Sequence, residues 1–79
     1  MARVIACDRF GSNQVRLRTD TNSGVSLAGK LVGWGPSGAV LKNGATYEVR
    51  TASGGYAARL TESEWAKRRY DYHSNYCCR

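Results

Sequence analysis

Two arrangements near the end of this 79-residue sequence have residue types and spacing suited to chemistry. The single histidine, His73, stands four residues before Cys77. On a continuing helix that spacing puts imidazole and thiol one turn apart, as a nucleophile and its base require. No orienting group or oxyanion site accompanies the pair, and a lone histidine in a polar tail is ordinarily solvated. No catalytic residue is therefore assigned, and the chain is expected not to be an enzyme. His73, Cys77 and Cys78 are also donors that suit zinc. Adjacent cysteines diverge around one tetrahedral ion, however, and the fourth ligand would be the distant Cys7, so no metal and no cofactor are expected. The stretch Gly33-Trp34-Gly35-Pro36-Ser37-Gly38 lacks the Gly-Lys-Ser/Thr ending of a phosphate loop and reads as a turn.

The remaining chemistry is electrostatic. Twelve Lys and Arg against six Asp and Glu leave a net charge of +6, a field that draws phosphate or an acidic surface. The cations fall in two clusters. Arg16 and Arg18 alternate with Val15 and Leu17 and share the outward face of one strand, with Arg3 and Arg9 on the strand before. Lys67, Arg68 and Arg69 crowd a C-terminal helix and run into Tyr70, Tyr72, His73 and Tyr76. Cations interleaved with flat rings suit single-stranded nucleic acid, the cations holding phosphates and the rings stacking on bases. The candidate contacts are Arg16, Arg18, Lys67, Arg68, Arg69, Tyr70 and Tyr72. Trp34, Tyr47 and Trp65 are expected to fill the core instead.

Strands and one helix must position these groups. Val4-Ile5-Ala6-Cys7 is a short apolar run within a first strand, Arg3 to Phe10, ended by Gly11-Ser12-Asn13. Gln14 to Thr19 alternates strictly, as a half-buried antiparallel strand does. Val25 to Trp34 carries Gly29 and Gly33 inside a strand pattern, which predicts bulges or sharp bends. Pro36 sits in a turn, Asn43-Gly44 between apolar runs predicts a hairpin, and Ser53-Gly54-Gly55 turns the chain into Tyr56 to Leu60. Thr61-Glu62-Ser63-Glu64 fits a capping box opening a helix over about residues 62–72. Glu64 with Arg68 and Lys67 with Asp71 are spaced to pair along it.

The fold class expected is mainly β: a curled antiparallel sheet or barrel of five or six strands with one short C-terminal helix. The bent Gly29-Lys30-Leu31-Val32-Gly33-Trp34, the hairpin through Tyr47-Glu48-Val49, and Tyr56 to Leu60 running into Thr61-Glu62-Ser63-Glu64-Trp65 resemble the SH3-like and Sm-like small barrels over residues 25–66. Gly29 to Trp34 is also similar to the Gly-x-x-Val-Gly-Trp stretch of the plasmid-borne type II dihydrofolate reductases. The Val-Gln-Ile-Tyr substrate motif of that family is absent, so its activity is not implied. Fold alone fixes no function.

One domain over residues 1–72, with a tail at 73–79, is the expected organisation. Apolar stretches of four or five residues are too short to span a bilayer, and Arg3, Asp8 and Arg9 interrupt any signal-peptide core, so no membrane association and no export are expected. Three cysteines, two of them adjacent, favour a reducing, cytoplasmic setting with Cys7 buried and the terminal thiols free. A bridge from Cys7 to a terminal cysteine is the alternative. Such a chain reads as a small basic binding protein for nucleic-acid backbone or a nucleoprotein complex. The alternatives are an anti-CRISPR-like viral inhibitor docking on an acidic protein surface, or an assembly subunit, and a homodimer fits a domain with so small a core.

Overall fold

The computed structural model describes residues 3–11, 13–21 and 24–72, and of Phe10 the backbone alone. His73, Cys77 and Cys78, the residues weighed for a dyad or a zinc site and assigned neither, lie outside the described residues, as does the rest of the 73–79 tail. Among the described residues seven strands form two antiparallel sheets, where the sequence pattern predicts five or six strands in one curled sheet. The first sheet contains β1 (Val4–Phe10), β2 (Gln14–Thr19) and β3 (Gly24–Ala28), and the second contains β4 (Lys30–Gly35), β5 (Gly38–Asn43), β6 (Thr46–Thr51) and β7 (Tyr56–Leu60). Spatial order follows chain order in both, so each strand pairs with its sequence neighbour through a short turn.

The extra strand comes from a break at Gly29. Its φ of 134° is closed to residues with a side chain, and the run expected as one bent strand divides there into β3 and β4. The Gly29 amide donates to the Asn13 carbonyl at 2.8 Å, and the Asn43 amide donates to the Ala28 carbonyl at 3.3 Å. At this corner the chain passes from one sheet to the other. Across the molecule the Val4 amide donates to the Pro36 carbonyl at 2.9 Å, among the described residues a lone bond rather than a ladder, and the sheets do not close into a barrel.

The core has two parts, one on each face of the second sheet. Val4, Cys7, Val15, Leu17, Leu31, Trp34, Ala39, Leu41 and Ala52 pack between the two sheets, with Val25 and Leu27 at the margin. Val40, Tyr47 and Leu60, with Val32, Val49, Trp65 and Tyr72, pack on the far face under the helix. β5 is therefore apolar on both sides, Ala39 and Leu41 facing one cluster and Val40 the other, as for a strand buried on both faces.

A bulge reconciles β4 with this plan. Leu31 pairs with Leu41 and Gly33 with Val40, which leaves Val32 as the extra residue. Leu31 and Trp34 thereby reach the same core despite a spacing of three. α1 (Glu62–Arg68) then lies across the outer face of the second sheet and tightens into a 3-10 turn over Arg69–Asp71. The predicted capping box is present: the Thr61 hydroxyl accepts from the Glu64 amide at 3.2 Å, and the Glu64 carboxylate accepts from the Thr61 amide at 3.0 Å. The bond from the Thr61 amide and, after it, the Thr61 hydroxyl hold the Glu64 carboxyl below its ordinary value. Burial, with help from Asp8, pushes the Cys7 thiol up to about 12. Among the described residues, no helix is long and apolar enough to cross a membrane.

Candidate nucleic-acid interface

The layered arrangement separates the two basic clusters. In β2, Val15 and Leu17 point into the inter-sheet core, so Arg16 and Arg18 stand on the outer face of the first sheet. α1 lies outside the second sheet, at the opposite side of the stack. The two clusters share no surface.

Within the first cluster Arg18 is paired, while Arg16 is exposed and forms no ion pair among the described residues. Arg18 forms an ion pair with Asp8 at 2.8 Å, and both side chains are partly exposed. Arg16 lies over Gly24 so closely that a Cβ there would meet its Nη2 at 2.7 Å. Arg50 is similarly occupied on the inter-sheet side of β6: it pairs with Glu48 at 3.0 Å, donates to the Gly54 carbonyl at 3.2 Å and covers the Tyr56 ring. That guanidinium straps the hairpin between β6 and β7 and leaves little positive charge to project outward.

The second cluster stands open. Lys67, Arg68 and Arg69 are exposed, and among the described residues none forms an ion pair. The pairs expected along the helix, Glu64 with Arg68 and Lys67 with Asp71, do not close to bonding distance, although Arg68 and Lys67 still favour the charged form of Glu64. Two further cations join this face, neither of them a sequence candidate. Cross-strand pairing sets Lys30 opposite Lys42 and Lys42 opposite Tyr47, one row along the helix-bearing face of the second sheet. Like charges directly opposite one another are destabilising, so this row is not explained by stability of the sheet.

An aromatic column connects the row to the helix. Lys42 Nζ sits 5.7 Å from the centre of the Tyr47 ring, which stacks on Trp65 at 5.6 Å and 20°. Trp65 in turn meets Tyr72 at 5.6 Å and 40°. Tyr47 is buried and Trp65 and Tyr72 are half-buried, which agrees with the expected core roles of Tyr47 and Trp65 and sets Tyr72 among packed rather than free rings. Trp34 is buried in the inter-sheet core. Tyr70 is different: 81 % exposed, it presents an open ring with the Arg69 guanidinium 5.3 Å from its centre. Val32, Trp65, Arg69, Tyr70 and Tyr72 together line a pocket of about 450 Å³.

The described residues contain no group of three or more His, Cys, Asp or Glu placed to hold a metal ion. Cys7 is buried and its thiol stays protonated at neutral pH, an inert core residue rather than a nucleophile. In comparisons with known proteins, no family model, no curated protein and no solved structure matches this chain.

Proposed function

We propose that this chain is a small non-enzymatic binding protein that holds the phosphate backbone of single-stranded nucleic acid on its helix-bearing face. The contacts are Lys67, Arg68 and Arg69 from the helical segment, joined by Lys30 and Lys42 from the sheet. The supporting observation is that these five cations share one side of the molecule without an ion pair among the described residues, while Arg18 and Arg50 are neutralised elsewhere. A concentrated, unpaired positive surface is what a polyanion rewards through counterion release. Binding of this kind is weakly selective for sequence, because phosphates carry none. A reducing, cytoplasmic setting goes with such a role.

A salt titration tests the proposal. Five contacts to a single strand give a slope of log affinity against log salt of about −3.5, or roughly a 100-fold loss between 50 and 200 mM. Lys67→Gln with Arg68→Gln should flatten the slope by about 1.4, and Arg16→Gln, on the opposite side, should leave it unchanged. Anisotropy of a labelled ten-residue oligothymidylate reads all three. A salt-independent affinity overturns the proposal. So does the absence of binding while one acidic protein stays bound after nuclease treatment, the result expected of an inhibitor of the anti-CRISPR kind.

A further inference from the structure

The pocket beside Tyr70 goes beyond a purely electrostatic surface. Its walls are the apolar Val32 and the paired rings of Trp65 and Tyr72, and its rim is the open Tyr70 ring with the Arg69 guanidinium. At about 450 Å³ it falls within the roughly 300–1,000 Å³ of sites that take small molecules or their equivalents. The exposed ring of Tyr70 beside Trp65 and Tyr72 offers a flat apolar surface to a flat ligand, and a guanidinium at the same rim selects an anion attached to it. Lys30 stands two residues before Val32 on the helix-bearing side, roughly 6–7 Å along the strand, and extends the positive rim beyond Arg69. A base joined to its phosphates has both properties.

We infer that this pocket holds one unstacked base of a single strand, the base sliding against Tyr70 toward Trp65 and Tyr72 while Arg69 receives the adjoining phosphate. The inference rests on the proposed nucleic-acid binding and assigns it a stacking site. Duplex DNA is disfavoured, because its bases are already stacked on one another and unstacking them costs free energy. Tyr70 is the residue to perturb, since its exposed ring carries no core packing, whereas Trp65 and Tyr72 also hold the helix.

The test compares two polyanions, the ten-residue oligothymidylate and inorganic polyphosphate of equal charge, on the wild type, Tyr70→Ala and Tyr70→Phe. Loss of one stacked base should lower oligothymidylate affinity about 5- to 150-fold in Tyr70→Ala, and Tyr70→Phe should retain it. Polyphosphate affinity should be the same in all three proteins. If Tyr70→Ala binds oligothymidylate as the wild type does, or loses both polyanions equally, the stacking site is refuted while the electrostatic proposal survives. If the wild type binds neither polyanion, both fail.

Discussion

Replacing Gly33 by alanine tests whether the helix docks as described, and the structure supplies its own control two residues away. A Cβ on Gly33 would stand 2.8 Å from Trp65 Cη2 and 2.9 Å from Tyr72 Cβ. Ordinary contact begins near 3.4 Å, so both neighbours must retreat by about half an ångström. Trp65 is held by Tyr47 beneath it and Tyr72 beside it, so the movement is passed to the whole helical segment. Overpacking of this kind costs about 1–3 kcal/mol. A Cβ on Gly35 in the same strand meets only Tyr72 Cδ1, at 3.9 Å. Neither position has the left-handed backbone that excludes alanine, so both variants gain the same reduction in unfolded-state entropy. The melting temperatures of Gly33→Ala and Gly35→Ala should therefore differ by about 4–24 °C for a domain of this size, with Gly33→Ala the lower. Thermal melts followed by far-UV circular dichroism measure the difference, and the near-UV signal of the Tyr47–Trp65 stack should weaken only in Gly33→Ala. Adding Trp65→Phe, which removes the nearest clashing atom, should narrow the gap. Equal melting temperatures with an intact near-UV signal would mean that α1 does not lie over the bulge, and the pocket would lose its wall.

Two titrations probe other parts of the same frame. The Cys7 thiol is raised from its ordinary 9.0 to about 12, so its contribution to stability is complete below pH 9 and is lost as pH rises from there toward 12. Urea midpoints should fall over that range in the wild type and fall less in Cys7→Ala, and alkylation mapped by mass spectrometry should reach Cys7 only after unfolding. Rapid native labelling would contradict its burial. The Glu64 carboxyl is lowered, chiefly by the hydrogen bond from the Thr61 backbone and then by the Thr61 hydroxyl, so its contribution is present above the ordinary 4.5 and is lost as pH falls below it. Helicity should decline on acidification, and Glu64→Gln, which keeps an acceptor oxygen for the Thr61 amide but does not titrate, should blunt that decline. An acid response identical in Glu64→Gln would refute the role of the Glu64 carboxylate in the capping box.

Strand positions were legible where local chemistry dictates them. Gln14 to Thr19 alternates, and it forms β2 with the same bounds. Asn43-Gly44 signals a hairpin, and Gly44 occupies the left-handed conformation at φ 65° that the turn requires. Thr61 and Glu64 announce the cap that they form. The division into two sheets was less legible because it depends on Gly29, and an in-strand glycine predicts a bend without saying whether pairing resumes on the same sheet. Only the bonds from Gly29 to Asn13 and from Asn43 to Ala28 settle that, and both join residues far apart in sequence. The helix was expected to reach about residue 72, and its last turn tightens to 3-10 after Arg68, a boundary that packing of Tyr72 against Trp65 decides.

The same distinction between local and long-range information governs the candidate interface. Lys67, Arg68, Arg69 and Tyr70 announce themselves as a contiguous run, and the helix leaves all four exposed. Lys30 and Lys42 are separated by a turn whose register decides everything. Counting outward from Gly35 and Gly38 sets position 30 opposite Asn43, and a regular hairpin would have kept the two lysines out of register. The extra residue Val32 shifts the count by one and brings Lys30 opposite Lys42. That bulge also turns Val32 toward the helix and opens space over Gly33 for Trp65, so one irregularity builds the pocket wall and extends its positive rim. Arg16 and Arg18 show the converse. Their alternation placed them correctly on an outward face, but which outward face follows from how two sheets stack, and β2 belongs to the sheet that the helix does not cover. A charge pattern along a strand can therefore identify cations that reach solvent, while the partner they can share is decided by layers that no single strand encodes.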